Sequence, residues 1–144
     1  MSSIESKLTW GLLWLALAAM YCAAVEVCQA DQVDWEKVEQ TLVAEAGGEG
    51  FAGLLAVAEV MRERGWNLRP FCASRRKDLA QFVAKQGAKV RQQAREAIAQ
   101  ARAGSQTVKG STHYENIDAF GVPRWAKGKT AIAVVGNHHF YRLD

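Results

Sequence analysis

The stretch "VAEAGGEG", Val43 to Gly50, decides the fold. It closes one apolar-periodic run, opens another, and sets two carboxylates, Glu45 and Glu49, four positions apart across Gly47-Gly48. Upstream, "DWEKVEQTLVAEA" offers Asp34 as a helix N-cap and repeats Trp35, Val38, Leu42 and Ala46 on one face. At 100° per residue, Glu45 falls about 50° from the centre of that apolar stripe, turned towards the protein body. Gly47-Gly48 is expected to end the helix, one glycine taking the left-handed cap. Downstream, "GFAGLLAVAEVMRERG", Gly50 to Gly65, is apolar nearly all round at its start and reads as a buried central helix. Glu49 would lie at its N-terminus, where a carboxylate complements the helix dipole.

Further out, "NLRPFCASRRKDLAQF" reads as a connecting loop with one short helix. "AKVRQQAREAIAQARAG", Ala88 to Gly104, is a third helix with a basic, Gln-rich outer face. After Gly110 the composition changes. "STHY", "AIAVVG" and "HHFYR" are short aromatic and branched runs split by "DAFGVPRW" and Gly136-Asn137. They predict a small sheet or hairpin packed on a helical body, hence an α+β fold with helices first and strands last.

Residues 1–30 differ from the rest. "LTWGLLWLALAAMYCAAV", Leu8 to Val25, is uncharged, and "CQA" before Asp31 offers small residues for a signal peptidase. The expectation is an export segment over residues 1–30 and one domain over residues 31–144, the alternative being a short buried helix. Uncleaved, residues 8–25 would contact the membrane. The chain has 144 residues, nearly half of them apolar (49%), and a net charge of +3. Losing residues 1–30 removes Lys7, Glu5 and Glu26 and leaves a slightly more basic remainder. That excess steers an anionic polymer, but "RRK" (Arg75 to Lys77) has no interleaved aromatics and implies no nucleic-acid partner. Of the three cysteines, only Cys72 lies beyond residue 30, and no CxxC occurs, which leaves zinc and thiol redox chemistry little support.

The ordered set "EAGGEG…GLLAVAEVMRERG", "QF" (Gln81-Phe82), "GSTHYEN", "PRWAKG" and "VGNHHFYR" resembles the SleB-type cell-wall hydrolases, the catalytic domains of spore cortex-lytic enzymes. The resemblance spans roughly residues 37–142. It implies a lysozyme-like α+β fold, peptidoglycan glycan strands as substrate, and Glu45 as the catalytic acid. Glu49 matches the family's second glutamate. Two departures stand out: Glu63-Arg64 replaces a frequent Asn-Arg pair, and the segment after Gln81-Phe82 lacks the usual Ser and Asp-Gly. Besides Glu49, the residues expected at the substrate are Gln81, Phe82, Thr112, His113, Tyr114, Asn116 and Trp125. A monomer with no metal and no cofactor is expected, exported to the periplasm, envelope or medium. A single domain with its own export segment leans towards a phage endolysin or small envelope enzyme rather than a spore enzyme.

Breaking a glycosidic bond needs a proton on the leaving oxygen and support for an oxocarbenium-like transition state, ordinarily from two carboxylates. Beyond Glu49, the remaining nearby carboxylates are Glu115 and Asp118. A lytic transglycosylase avoids the second one, because the muramic acid's own 6-hydroxyl closes an anhydro ring. For neutral-pH work the acid needs a pKa of about 6–7 against about 4.3 in water, or roughly 3 kcal/mol. Partial burial and a nearby ionised Glu49 are both sources of that size. The alternatives are a hydrolytic muramidase, a zinc amidase using His113, His138 and His139, and a non-catalytic glycan-binding module. The zinc reading lacks HExxH spacing, and adjacent histidines on a strand face opposite ways.

Overall fold

Asp34 opens the first helix as its residue type predicts. Its Oδ1 accepts the Lys37 amide at 3.0 Å, and α1 runs over Trp35–Ala46. In this computed structural model residues 32–143 are described, so the export segment expected over residues 1–30 lies outside the described residues. Val38, Leu42, Val43 and Ala46 form the buried stripe of α1. Trp35 departs from it. Placed at the first turn, beyond the core, it remains exposed, edge-on to Trp66 at 5.2 Å and under the Arg102 guanidinium at 4.4 Å. Glu39 is buried on the same helix and paired with Arg91 at 2.8 Å and Arg95 at 3.2 Å.

The double glycine does not take the expected left-handed cap. Gly47 stays right-handed (φ −60°, ψ −25°), and Gly47–Glu49 tightens into a 3₁₀ turn. The positive φ falls instead on Gly50 (φ 70°, ψ −170°), in a region essentially reserved for glycine. There the chain bends into α2, Gly50–Glu63, which is buried continuously from Gly53 to Met61. Its main neighbour is α4, Ala88–Arg102, which presents Ala94, Ala97, Ile98 and Ala101. Small side chains there let the two backbones approach closely. The short α3, Leu79–Lys85, buries Leu79 and Val83 and packs on α1.

Inside this helical body Glu59 is almost fully buried. Its two oxygens accept the amides of Thr107 (3.0 Å) and Val108 (2.9 Å), pinning the segment that leads from α4 into the sheet. Burial, the largest single influence, would raise its carboxyl, but hydrogen bonding to the carboxylate, led by those two amides and joined by the Ser105 and Thr107 side chains, outweighs it and holds the group below the usual carboxylate value.

The sheet is antiparallel, in the order β1-β3-β2, from β1 (His113–Glu115), β2 (Ala133–Val135) and β3 (His138–Tyr141). The expected hairpin is β2–β3, turning at Gly136-Asn137, and β1 adds to the other edge of β3. The fold is therefore α+β, a helical body with a small C-terminal sheet. Between β1 and β2 lie α5 (Ile117–Phe120) and a 3₁₀ turn at Arg124–Ala126, both unforeseen. Asn116 accounts for α5, since its Oδ1 caps the Ala119 amide at 3.0 Å.

Candidate active site in the cleft beside Glu45

Glu45 lies in the last turn of α1, half-buried, and borders a cleft of about 260 Å³. The same cleft is lined by Thr112, His113, Tyr114 and Trp125. Residues from α1, the end of α2, the 70–73 loop, β1 and the 124–126 turn thus converge on one carboxylate. Glu45 Oε1 accepts the backbone amide of Ala73 at 2.9 Å, and Oε2 accepts the Tyr114 hydroxyl at 2.9 Å.

Strand alternation sorts the aromatic residues into two groups. Tyr114 pairs in register with Phe140, and its ring also meets His138 edge-on at 5.0 Å. His113 pairs with Tyr141, and Trp125 covers both, 5.3 Å from the imidazole and 5.4 Å from the phenol ring. Tyr114 reaches the cleft from the first group, and His113 and Trp125 line it from the second. Burial, then the neighbouring Glu45 carboxylate, pushes the Tyr114 phenol well above its ordinary value, so it keeps its proton. A phenol can donate to a carboxylate or accept from a carboxylic acid. The Glu45–Tyr114 contact therefore survives either protonation state of the pair. Burial first, and then the Arg64 charge, lower the His113 imidazole below its ordinary value and favour its neutral form. Thr112 Oγ1 meets His113 Nδ1 at 3.0 Å and fixes the ring.

Glu49 is employed elsewhere. Its carboxylate makes no bond to its own helix start; Oε2 accepts the Asn137 amide and Oε1 accepts Asn137 Nδ2, both at 3.1 Å. A Cβ at Gly136 or Gly53 would collide with the Glu49 side chain, so both glycines are needed for this approach. Glu49 ties the hairpin tip to the start of α2 and does not line the Glu45 cleft. Gln81 and Phe82 do not line it either: Gln81 is exposed on α3, and the Phe82 ring carries Arg76 at 4.2 Å. Asn116 is taken up as the α5 cap.

Sequence reasoning missed Arg64, Phe71 and Cys72 as cleft residues, and the Ala73 amide as a partner of Glu45. Glu115, weighed only as a spare carboxylate, also lines the cleft, with Oε1 accepting the Asn116 amide at 3.1 Å. His138 and His139 point to opposite sheet faces. Among the described residues no group of three His, Cys, Asp or Glu side chains is placed to hold a metal ion. Comparison with protein-family models, curated proteins and solved structures finds no match to this chain.

Proposed function

We propose that this chain cleaves peptidoglycan glycan strands between N-acetylmuramic acid and N-acetylglucosamine, as a lytic transglycosylase with Glu45 as its single acid and base. One observation carries the reading: a carboxylate bordering a cleft, oriented by a fixed amide and a phenol that tolerates both of its protonation states. The motif resemblance supplies the substrate class; Glu49 does not line the cleft, which leaves Glu115 as the other carboxylate there.

In the proposed reaction Glu45 gives its proton to the glycosidic oxygen as the bond to muramic C1 breaks. The muramic 6-hydroxyl attacks C1 and returns its proton to the Glu45 carboxylate. A 1,6-anhydro ring forms, no water is consumed, and the acid is regenerated. Ala73 and Tyr114 keep the carboxylate on one trajectory through both transfers, which is where positioning is worth most. Trp125 lines the cleft as the aromatic surface proposed to meet a sugar, whereas the Thr112 hydroxyl is spent on His113 and on the Leu143 backbone and acts by holding the cleft wall. We further propose that the protein is exported through residues 1–30 and works as a monomer without metal or cofactor.

A second reading has its own support. Glu115 shares the cleft and leaves Oε2 without a hydrogen bond among the described residues, so it could orient a water and make the enzyme a hydrolytic muramidase. Digestion of purified sacculi separates the two. Anhydro ends that persist in the Glu115→Gln variant support the transglycosylase. Reducing muramic ends that vanish in that variant support the muramidase.

A further inference from the structure

Glu45 shares its cleft with one cation, Arg64, that no carboxylate among the described residues neutralises. Arg64 follows the last turn of α2, half-buried, and its Nε donates to the Thr112 carbonyl at 2.6 Å. Its guanidinium carbon lies 5.8 Å from the centroid of the Phe71 ring. These contacts hold the guanidinium by its Nε edge and one face, and leave its two terminal nitrogens without a hydrogen bond among the described residues. Four other arginines have carboxylate partners, while Arg75, beside cleft residue Cys72, has none among the described residues but spends its terminal nitrogens on the Arg69 carbonyl and Cys72 Sγ. Arg62 is paired with Glu63 at 2.6 Å, Arg76 with Asp78, and Arg91 and Arg95 with Glu39. The Glu63 that departs from the family pattern therefore serves Arg62, not Arg64. Glu45 and Glu115 line the same cleft, yet neither forms an ion pair with Arg64; Glu45 is held by Ala73 and Tyr114, and Glu115 accepts from Asn116.

A half-buried guanidinium is costly to leave unpaired, and its planar fork matches a carboxylate in a bidentate way. The N-acetylated sugar rings of a glycan strand carry no charge. Its carboxylates hang from muramic acid, either as the free lactyl group of bare strands or further out along the stem peptide.

We propose that the Arg64 guanidinium is the subsite for a carboxylate borne by the muramic residue next to Glu45. This rests on the glycan-cleavage reading and adds how the cleft selects its bond. Arg64 seats muramic acid rather than N-acetylglucosamine beside the acid, so only bonds on the muramic side are presented.

The test uses the full-length protein carrying Glu45→Gln, titrated calorimetrically with three tetrasaccharides. One is all N-acetylglucosamine and neutral, one is bare muramic-containing with lactyl carboxylates, and one has stem peptides attached. At least one carboxylate-bearing ligand is expected to bind tighter than the neutral one. Adding Arg64→Met should weaken that ligand about tenfold or more and shift the neutral one less than about twofold. Which ligand loses affinity identifies the lactyl or the stem carboxylate as the source. Arg64→Lys, which keeps the charge and loses the fork, should lie between. Should Arg64→Met fail to fold, raising the salt concentration must erode the preference in the parent protein, and a salt-independent preference overturns the proposal. Equal weakening of all three ligands, or a preference that survives Arg64→Met, also overturns it. If the wild-type chain releases nothing from sacculi, the glycan-cleavage reading falls and this proposal with it. If it releases fragments while Arg64→Met treats the three ligands alike, this proposal alone falls.

Discussion

Glu59 and Glu45 lie on the first two helices and are held in opposite ways. Glu59, inside the helical body, is 1% exposed, and both its oxygens are filled by immobile backbone amides. Glu45, on the cleft side, is half-buried, with one oxygen on a backbone amide and the other on a rotatable hydroxyl. A carboxylate saturated by the backbone can only hold the fold together. A carboxylate that shares a hydroxyl and borders a cavity can exchange a proton without losing its orientation. The difference lies in the partners and the empty space beside them, since both residues are glutamates on apolar helical faces.

The substitution expected to act most strongly is Glu45→Gln. It should lower fragment release from sacculi by about 10³-fold or more while thermal melting stays near that of the wild type. Near-normal turnover by the folded variant would erase the contrast. The converse is Glu59→Ala, which orphans the buried Val108 amide and frees the part-buried Thr107 amide, and should cost about 2–4 kcal/mol in urea unfolding. A change within the error of the method would show that Glu59 is not the pin described above.

The same carboxylate sets an acid limit. The folded value of Glu59 is depressed, so its stabilisation is present in full above the unfolded carboxyl value, near 4.3, and is lost as pH falls through the lower folded value. Urea midpoints measured from pH 7 down to about 2.5 should fall less steeply in Glu59→Gln than in wild type. Parallel curves would remove Glu59 as a source of acid sensitivity.

Smaller effects sharpen the cleft side. Tyr114→Phe takes away the shared proton but keeps the ring stack, so cleavage should drop about 10- to 100-fold while stability changes by about 1 kcal/mol. Glu49→Gln keeps one acceptor for Asn137 and should cost about 0.5–1 kcal/mol of stability, with fragment release hardly altered. A loss equal to that of Glu45→Gln would bring Glu49 into the chemistry after all.

What could be read in the sequence was local. Asp34 ahead of a periodic run marked the start of α1, and the continuous apolar run marked α2, because caps and periodicity act within a few residues. The inward turn of Glu45 followed from the same arithmetic. Grouping Glu45 with Thr112, His113, Tyr114 and Trp125 required the motif resemblance, since no local rule joins residues so far apart. The Ala73 amide was hidden because a backbone donor has no side-chain signature. Arg64 was visible as a residue, but its lack of a carboxylate partner among the described residues depended on Glu63 turning to Arg62. Gly50 took the positive φ expected of Gly47-Gly48 because the chain tightened into a 3₁₀ turn before bending. Gln81 and Phe82 fell outside the cleft because α3 packs on α1 through Leu79 and Val83 instead.

Mass spectrometry of the fragments released from purified sacculi tests the central claim most directly. The account predicts muropeptides ending in 1,6-anhydromuramic acid, each lighter by one water than its hydrolytic counterpart, produced by the wild type and absent with Glu45→Gln. Glycan fragments released undiminished by Glu45→Gln, or no fragments from the folded wild-type chain, would contradict it.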